Sequence, residues 1–102
     1  MKKNVFLISI LAILLSFNAS ARTITGKVTD SNTGSAISGV SVYLKSNPAV
    51  STNTNNQGKY SLEVNEGDIL VFSFVGYKTK EIKVKYESEI NVKLEPELIV
   101  LD

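Results

Sequence analysis

The chain has no cysteine, no histidine and no tryptophan among its 102 residues. Without cysteine it forms no disulfide and offers no thiol nucleophile. Without histidine it lacks the commonest general base and the commonest side-chain metal ligand. An excess of charge of one sign is also absent, because the formal net charge is +1, whereas nucleic-acid binding normally needs a basic surface. These absences argue against an enzyme, a disulfide-stabilised scaffold and a nucleic-acid-binding protein.

The residues that remain for catalysis are poorly placed. Glu66 and Asp68 form the nearest acidic pair, but they bracket Gly67, which is typical of a solvated hairpin tip. Ser41, Ser61 and Ser73 lie on predicted strands. None of them lies in a G-x-S-x-G sequence, the elbow that exposes a nucleophilic serine. We therefore expect no catalytic residues and no enzyme activity.

A long apolar run is present at the beginning of the chain. A basic segment, residues 1–3, precedes the mostly aliphatic residues 5–17, and an Ala-x-Ala sequence ends at Ala21. This order is typical of a secretory signal peptide cleaved after Ala21, which leaves a mature chain beginning at Arg22. The alternative is an uncleaved anchor, although the run is shorter than the roughly 20 residues that span a bilayer. No cysteine follows it, so lipoprotein processing is not expected.

The part after the signal peptide is predicted to be one small exported domain. It carries nine Lys and Arg against ten Asp and Glu, a net charge of −1. Because an exported domain without disulfides must be held together by its core alone, the sequence favours a bacterial periplasm or cell surface.

The exported part shows a repeat of two residues, with turn-forming residues at short intervals. Alternating segments predict strands at residues 24–29, 40–45, 59–64, 69–75, 78–84 and 90–94. No apolar pattern with helical spacing (i, i+3, i+4, i+7) is long enough to predict a stable helix, so the expected fold class is all-β. We expect about seven short strands in a small antiparallel β-sandwich.

The strand predicted at residues 69–75 is apolar on both faces and is therefore expected to be central and covered on both sides. Leu70, Phe72 and Phe74 share one of its faces, and Val71, Ser73 and Val75 share the other. Gly76 after it allows a sharp bend. Tyr77 is expected to cover an edge of the sandwich with its hydroxyl in water.

Several other residues have a structural and a functional interpretation. Gly26, inside a strand, indicates a bulge or a close backbone approach, and Gly58 and Gly67 indicate turns with positive φ. The tyrosines are interpreted as packing residues rather than as ligand-stacking aromatics; besides Tyr77 these are Tyr43, Tyr60 and Tyr86.

Two polar stretches are also interpreted structurally. Residues 53–58 faintly resemble a calcium loop, but their side chains are neutral amides where calcium needs carboxylates, so we predict a turn and no metal or cofactor. A basic patch with interleaved glutamates is interpreted as a solvated strand edge that blocks aggregation, rather than as a docking surface. Its members are Lys78, Lys80, Lys83 and Lys85.

Four segments, in order, resemble a known family. They are residues 24–30 (ITGKVTD), 38–42 (SGVSV), 56–62 (NQGKYSL) and 70–79 (LVFSFVGYKT). Together they look like the carboxypeptidase regulatory-like (carboxypeptidase D regulatory-like) domain, a transthyretin-like or prealbumin-like β-sandwich. They are especially similar to the copy at the N-terminus of TonB-linked outer-membrane receptors of the SusC/RagA type. The resemblance covers nearly the whole exported part, from Thr23 to about Leu94.

The sequence departs from the family in places. Members often carry a proline or a second glycine just before the position of Gly39, where this chain has Ala36-Ile37-Ser38. They often have an aspartate near Asn55, and its absence removes a carboxylate from the best place for a cation. The receptor plug and barrel do not follow either.

The resemblance implies three regions: a signal peptide at 1–21, the domain at 22–95 and a C-terminal tail at 96–102. The tail resembles the approach to the TonB box of such receptors. It holds four consecutive apolar residues, 98–101, which are expected either to add a strand to the domain's own edge or to be the stub of a longer chain.

Two hypotheses about function follow. The first is a non-catalytic accessory or interaction domain, exported to the periplasm or outer membrane. It is a stand-alone relative or a truncated receptor N-terminus, with a protein partner in TonB-linked receptor machinery. The second is a periplasmic or cell-surface module that binds a glycan or peptide. Neither hypothesis includes a nucleic acid, and no small-molecule substrate is evident.

Overall fold

The computed structural model describes residues 21–98, which form seven β-strands and no helix. The strands are β1 (Arg22–Asp30), β2 (Ser41–Leu44), β3 (Ser51–Asn53), β4 (Lys59–Val64), β5 (Ile69–Ser73), β6 (Lys80–Lys83) and β7 (Val92–Leu94). Nearly all of the predicted signal peptide, and the end of the tail at 99–102, lie outside the described residues. Within residues 21–98 there is no helix with the length and apolar character that crossing a bilayer requires.

The strands form two sheets, with the orders β4-β1-β7 and β3-β2-β5-β6. β1 pairs antiparallel with β4, where Gly26 lies opposite Tyr60. It pairs parallel with β7, where Val28 lies opposite Val92. All pairs of the second sheet are antiparallel. The parallel pair of β1 and β7 departs from the antiparallel expectation, and the long stretch of chain between these two strands permits it.

The two sheets pack face to face because alternate residues of each strand turn apolar side chains inward. Ile24 and Val28 of the first sheet and Val42 and Phe72 of the second are completely buried in one core. The rings of Tyr60 and Phe72 meet edge to face between the sheets, with their centroids 5.4 Å apart. The predicted all-β sandwich of about seven strands is confirmed.

β3 was not predicted, because its polar sequence shows no apolar alternation. It is an edge strand that pairs only with β2. The residue that follows it, Thr54, is the one buried polar side chain found within residues 21–98. Its hydroxyl donates to the Ile37 carbonyl at 2.7 Å and accepts the Val40 N–H at 2.9 Å. Both hydrogen-bonding roles are satisfied, so burial of this hydroxyl carries little penalty.

β5 lies in the middle of its sheet, as predicted, and Leu70 and Phe72 belong to the core. Val71 on the opposite face is only 4% exposed, and Tyr43 and Glu81 flank it in register. Cover on both faces is therefore confirmed for the middle of this strand.

The end of β5 differs from the prediction. The strand stops at Ser73, and Val75 is 92% exposed. The reason is a turn, because the Tyr77 N–H donates to the Phe74 carbonyl at 3.1 Å and Gly76 between them has a φ of +90°. Val75 therefore projects from a turn rather than from a covered strand.

Gly26 lies where the segment before β7 crosses β1. A methyl group there would stand 1.8 Å from the Ile90 carbonyl oxygen and 2.8 Å from the Tyr60 ring. That oxygen accepts the Tyr60 hydroxyl at 2.6 Å. The Ile90 N–H donates to the Thr25 carbonyl at 2.8 Å, and the Thr25 N–H donates to the Ser88 carbonyl at 3.0 Å. The close backbone approach predicted at Gly26 is confirmed.

The turns predicted at Gly58 and Gly67 are also confirmed, since their φ values are +76° and +92°. Gly58 meets a second constraint, because an added methyl group would lie 2.6 Å from the Val28 carbonyl oxygen. The Val28 N–H donates to the Gly58 carbonyl at 2.8 Å, so the turn is tied to β1 at this point.

We expect Gly26→Ala to lower the free energy of unfolding by about 3 kcal/mol, because the methyl group overlaps a backbone oxygen that no rotamer change can move. Gly67→Ala is the matched control: its positive φ disfavours alanine, but nothing lies within 4 Å of the added atom, so a loss of about 1 kcal/mol is expected. Urea unfolding followed by circular dichroism measures both values. Equal losses would contradict the close approach at Gly26.

Candidate functional site

The carboxylate of Asp30 joins the end of β1 to the turn after β5. Its Oδ1 atom accepts the N–H groups of Asn32 at 2.7 Å and Thr33 at 3.0 Å, which closes the turn after β1. Its Oδ2 atom accepts the Tyr77 hydroxyl at 2.7 Å. The Tyr77 ring packs against the core, as predicted. The hydroxyl also donates to Asp30, a partner that the sequence did not reveal, and so ties β1 to the turn after β5.

Both groups of this pair have shifted pKa values. The hydrogen bond from Tyr77, followed by those from the Thr33 and Asn32 amides, lowers the pKa of Asp30 from its ordinary value of 3.8. The same bond, followed by desolvation, raises the pKa of Tyr77 from 10.0. The bond therefore adds to stability at intermediate pH. In acid, its contribution is lost as the pH falls from 3.8 through the lowered pKa of Asp30. In base, its contribution is lost as the pH rises from 10.0 through the raised pKa of Tyr77.

The residues after β7 return to this same region. The Lys78 N–H donates to the Glu95 carbonyl at 2.9 Å, and the Glu97 N–H donates to the Gly76 carbonyl at 2.8 Å. The side chains of Lys78 and Glu95 add an exposed ion pair at 3.7 Å. A short antiparallel pairing thus holds the chain where it leaves the domain.

The apolar tail was expected either to add a strand to this domain's edge or to be a stub. The pairing that the structure contains involves residues 95–97, which precede the apolar stretch. Leu98 is 89% exposed, and residues 99–102 lie outside the described part of the chain. The choice between the two arrangements stays a prediction.

The side chains considered as weak metal or acid–base candidates accept hydrogen bonds from backbone N–H groups of the turns in which they lie. Asn55 Oδ1 accepts the N–H groups of Gln57 at 2.9 Å and Lys59 at 3.0 Å, which confirms the predicted turn. Asp68 Oδ2 accepts the Asn65 N–H at 2.8 Å in the hairpin turn before β5. No three acidic side chains of residues 21–98 gather closely enough to hold a metal ion.

The tyrosines are placed unequally. Tyr60 and Tyr77 pack against the core, as predicted, and Tyr43 is half-buried on the outer face of the second sheet. Tyr86 is 83% exposed, so the packing prediction is wrong for this residue. It lies in the loop after β6, where its backbone carbonyl accepts the Arg22 guanidinium at 3.1 Å while its ring projects outward.

The four lysines predicted as one basic patch are divided between different neighbours. Lys80 and Lys83 are exposed on β6, an edge strand, in line with the predicted solvated edge. Lys80 Nζ reaches the Lys93 carbonyl on β7 at 3.5 Å, and Lys78 forms its ion pair with Glu95. That these charges prevent aggregation stays a prediction.

A shallow cleft of 720 Å³ lies where β1 and β4 meet the end of β3 and the segment before β7. The charged and amide side chains that line it are Lys27, Lys59, Glu89, Asn53, Asn55 and Asn91. Tyr60 also borders it, and burial together with the nearby Glu89 carboxylate raises the pKa of Tyr60. The Tyr60 hydroxyl therefore remains a hydrogen-bond donor to the core and is unsuited to proton transfer.

Sequence reasoning missed this cleft. Lys27 and Lys59 occupy outward positions of two predicted strands, and the alternation does identify them as outward. It does not reveal that β1 pairs with β4 in a register that sets Lys27 opposite Lys59. The one signal in the sequence is that each lysine follows a glycine, Gly26 or Gly58, whose neighbourhood is tightly constrained.

The chain is similar to known proteins over nearly its whole length. Residues 24–102 match the family model of the CarboxypepD_reg-like domain. The TonB-dependent receptor SusC of Bacteroides thetaiotaomicron is 34% identical over 108 residues, an alignment that covers 100% of this chain and 10% of the receptor.

Two receptors of Formosa agariphila are also similar. The TonB-dependent receptor P26 is 39% identical over 75 residues, which cover 74% of this chain and 7% of the receptor. The TonB-dependent receptor P3 is 33% identical over 94 residues, which cover 91% of this chain and 9% of the receptor. The chain therefore spans a tenth or less of the length of these curated relatives.

A double-mutant cycle tests the bond between Asp30 and Tyr77. We expect Asp30→Ala and Tyr77→Phe each to lower the free energy of unfolding at pH 6, and their combination to cost less than the sum, because both remove one shared bond. The coupling should vanish once the pH has fallen from 3.8 through the lowered pKa of Asp30, because the carboxylate is then protonated in the folded protein as well. Urea unfolding of the four proteins at both pH values gives the coupling. A coupling that persists unchanged in acid would show that the carboxylate charge contributes nothing.

Proposed function

The chain belongs to the family of CarboxypepD_reg-like domains, and from that membership we propose that it is a non-catalytic accessory domain of the bacterial envelope, associated with TonB-dependent uptake. In this role it contributes an interaction surface, either as a stand-alone relative or as the N-terminal domain of a receptor. Its partner is a protein of the outer membrane or periplasm.

One observation carries this proposal. The alignment with the receptor SusC extends over all of this chain, including the segment predicted to be a signal peptide. The signal-like segment and the domain of this chain therefore align together with a single stretch of a TonB-dependent receptor. This common order supports export to the same envelope and work beside the same machinery.

The beginning of the domain supports the proposed cleavage after Ala21. β1 starts at Arg22, and the guanidinium of Arg22 donates to the backbone carbonyls of Lys85 and Tyr86. β1 therefore begins at the first residue that the proposed mature chain would keep. This agreement supports 1–21 as the signal peptide, followed by the domain at 22–95 and the tail at 96–102.

The absence of catalysis is part of the proposal and rests on how the carboxylates are used. Asp30 and Asp68 are engaged in turns, and the exposed ion pairs engage Glu81 and Glu95. Glu89 borders the cleft, but the amide of Asn91 holds it at 3.3 Å. None of these arrangements pairs an acid with a base across a reaction site.

A ligand-binding module is the second candidate function, and the cleft favours it. A recess of 720 Å³ lined by lysines and amides offers several hydrogen-bond donors on one side of the domain. The two candidates are compatible only if the ligand belongs to the uptake machinery. A soluble ligand with no membrane partner would replace the first proposal by the second.

Recovery of partners from a native envelope tests the proposal. We expect the chain with a C-terminal tag to be found in the envelope fraction. Its intact mass should be that of a chain beginning at Arg22, and cross-linking should join it to an identified TonB-dependent receptor. A form without residues 2–21, retained in the cytoplasm, is the control and should recover no receptor. Capture of soluble glycan alone, with no membrane protein, would contradict the association.

A further inference from the structure

One long side of the sandwich carries an open strand edge from each sheet. β3 and β4 are edge strands, lie next to each other and border the cleft. On the opposite side, between β6 and β7, residues 95–97 pair with residues 76–78, and Lys80 reaches the Lys93 carbonyl. The β3–β4 side is therefore the side more open to another chain.

β4 turns unpaired backbone groups toward this side. Thr25 uses its N–H and carbonyl for Ser88 and Ile90, so it does not hydrogen-bond to Ser61, which lies opposite it. Such positions alternate along antiparallel strands, so the N–H and carbonyl groups of Ser61 and Glu63 point away from β1. No strand within residues 21–98 pairs with that edge of β4. An edge of this kind is a template for an added strand.

Two lysines stand side by side at one end of this edge. The Lys27 N–H donates to Asn91 Oδ1 at 2.9 Å and the Lys59 N–H donates to Asn55 Oδ1 at 3.0 Å. Because both amides point away from the other strand, Lys27 and Lys59 form a non-hydrogen-bonded pair, in which Cα atoms are about 4.5 Å apart and side chains approach closely.

Neither lysine of this pair forms an ion pair within the described part of the chain, although the Glu89 carboxylate also borders the cleft. The ion pairs there, Lys45 with Glu81 and Lys78 with Glu95, include neither Lys27 nor Lys59. Like charges directly opposite each other destabilise a sheet. A carboxylate bound between the two ammonium groups would remove that repulsion, so the pair is complementary to an acidic ligand.

We propose that this cleft binds an extended acidic segment of a partner protein. The backbone of the segment pairs with the β4 edge at Ser61 and Glu63, and one of its carboxylates lies between Lys27 and Lys59. Glu63 at the other end of the edge, and Glu89 in the segment before β7, repel a carboxylate that approaches them. The segment is therefore oriented, with its acidic residues toward Lys59 and uncharged residues beside Glu63.

A peptide fits these features better than a glycan does. The open edge offers alternating N–H and carbonyl groups, which match the spacing of a second β-strand. The aromatic rings that would stack on sugars are not in the cleft, since Tyr60 is 4% exposed and its hydroxyl is engaged by Ile90. The proposal concerns the occupant of the cleft and does not depend on association with a receptor.

The test uses the chain expressed in full and purified after export, titrated with a short capped peptide of Thr residues that carries Glu at alternate positions of one half only. Amide chemical shifts should move at Ser61 and Glu63. The double variant Lys27→Gln/Lys59→Gln should bind about fivefold more weakly, because two exposed charge contacts are lost. The double variant Lys83→Gln/Lys85→Gln, which removes the same charge outside the cleft, should bind as the parent does.

Two altered peptides separate the backbone from the charge. Replacing Glu by Gln in the peptide should weaken binding about as much as the Lys27 and Lys59 variant does, and N-methylation of its edge-pairing amides should abolish binding. Shifts that cluster elsewhere, or equal weakening in the Lys83 and Lys85 variant, would overturn the proposal. So would binding of polygalacturonate with the same lysine dependence while the peptide fails to bind. Failure of this test would not contradict the proposed envelope association, because that association is tested separately by cross-linking to a receptor.

Discussion

The carbonyl oxygen of Ile90 is the point on which the rest of the structure depends. It lies directly over Gly26 in the middle of β1 and accepts the buried Tyr60 hydroxyl from β4. The same crossing supplies two backbone hydrogen bonds to Thr25, one from Ile90 and one to Ser88. Because this contact fixes the segment before β7, it sets β7 parallel to β1 and completes the first sheet. A side chain at position 26 would exclude it.

The surface features follow from this crossing. The segment that passes over β1 carries Glu89 and Asn91 to the border of the cleft, where Asn91 takes the Lys27 N–H. Since Thr25 is engaged on that side, the opposite groups of β4 at Ser61 are left facing outward. A buried contact made by a glycine thus determines which edge of the sandwich can receive another chain.

The sequence predicts what depends on neighbours along the chain and fails where distant residues meet. Alternation identified six of the seven strands, and the glycine inside β1 correctly indicated a close approach. The bond between Asp30 and Tyr77 joins residues 47 positions apart, and no local pattern reveals such a partner. The pairing of Lys27 with Lys59 likewise depends on register between strands, which a repeat of two residues leaves open.

Native-state hydrogen exchange at Thr25 and Ile90 tests most directly whether this crossing holds the fold together. If it does, both amides exchange only through global unfolding, with an opening free energy equal to that from urea unfolding. The Lys78 amide, which donates to the Glu95 carbonyl, serves as the comparison and should open at lower free energy. Exchange of Thr25 and Ile90 through local opening, well below the global value, would contradict the account.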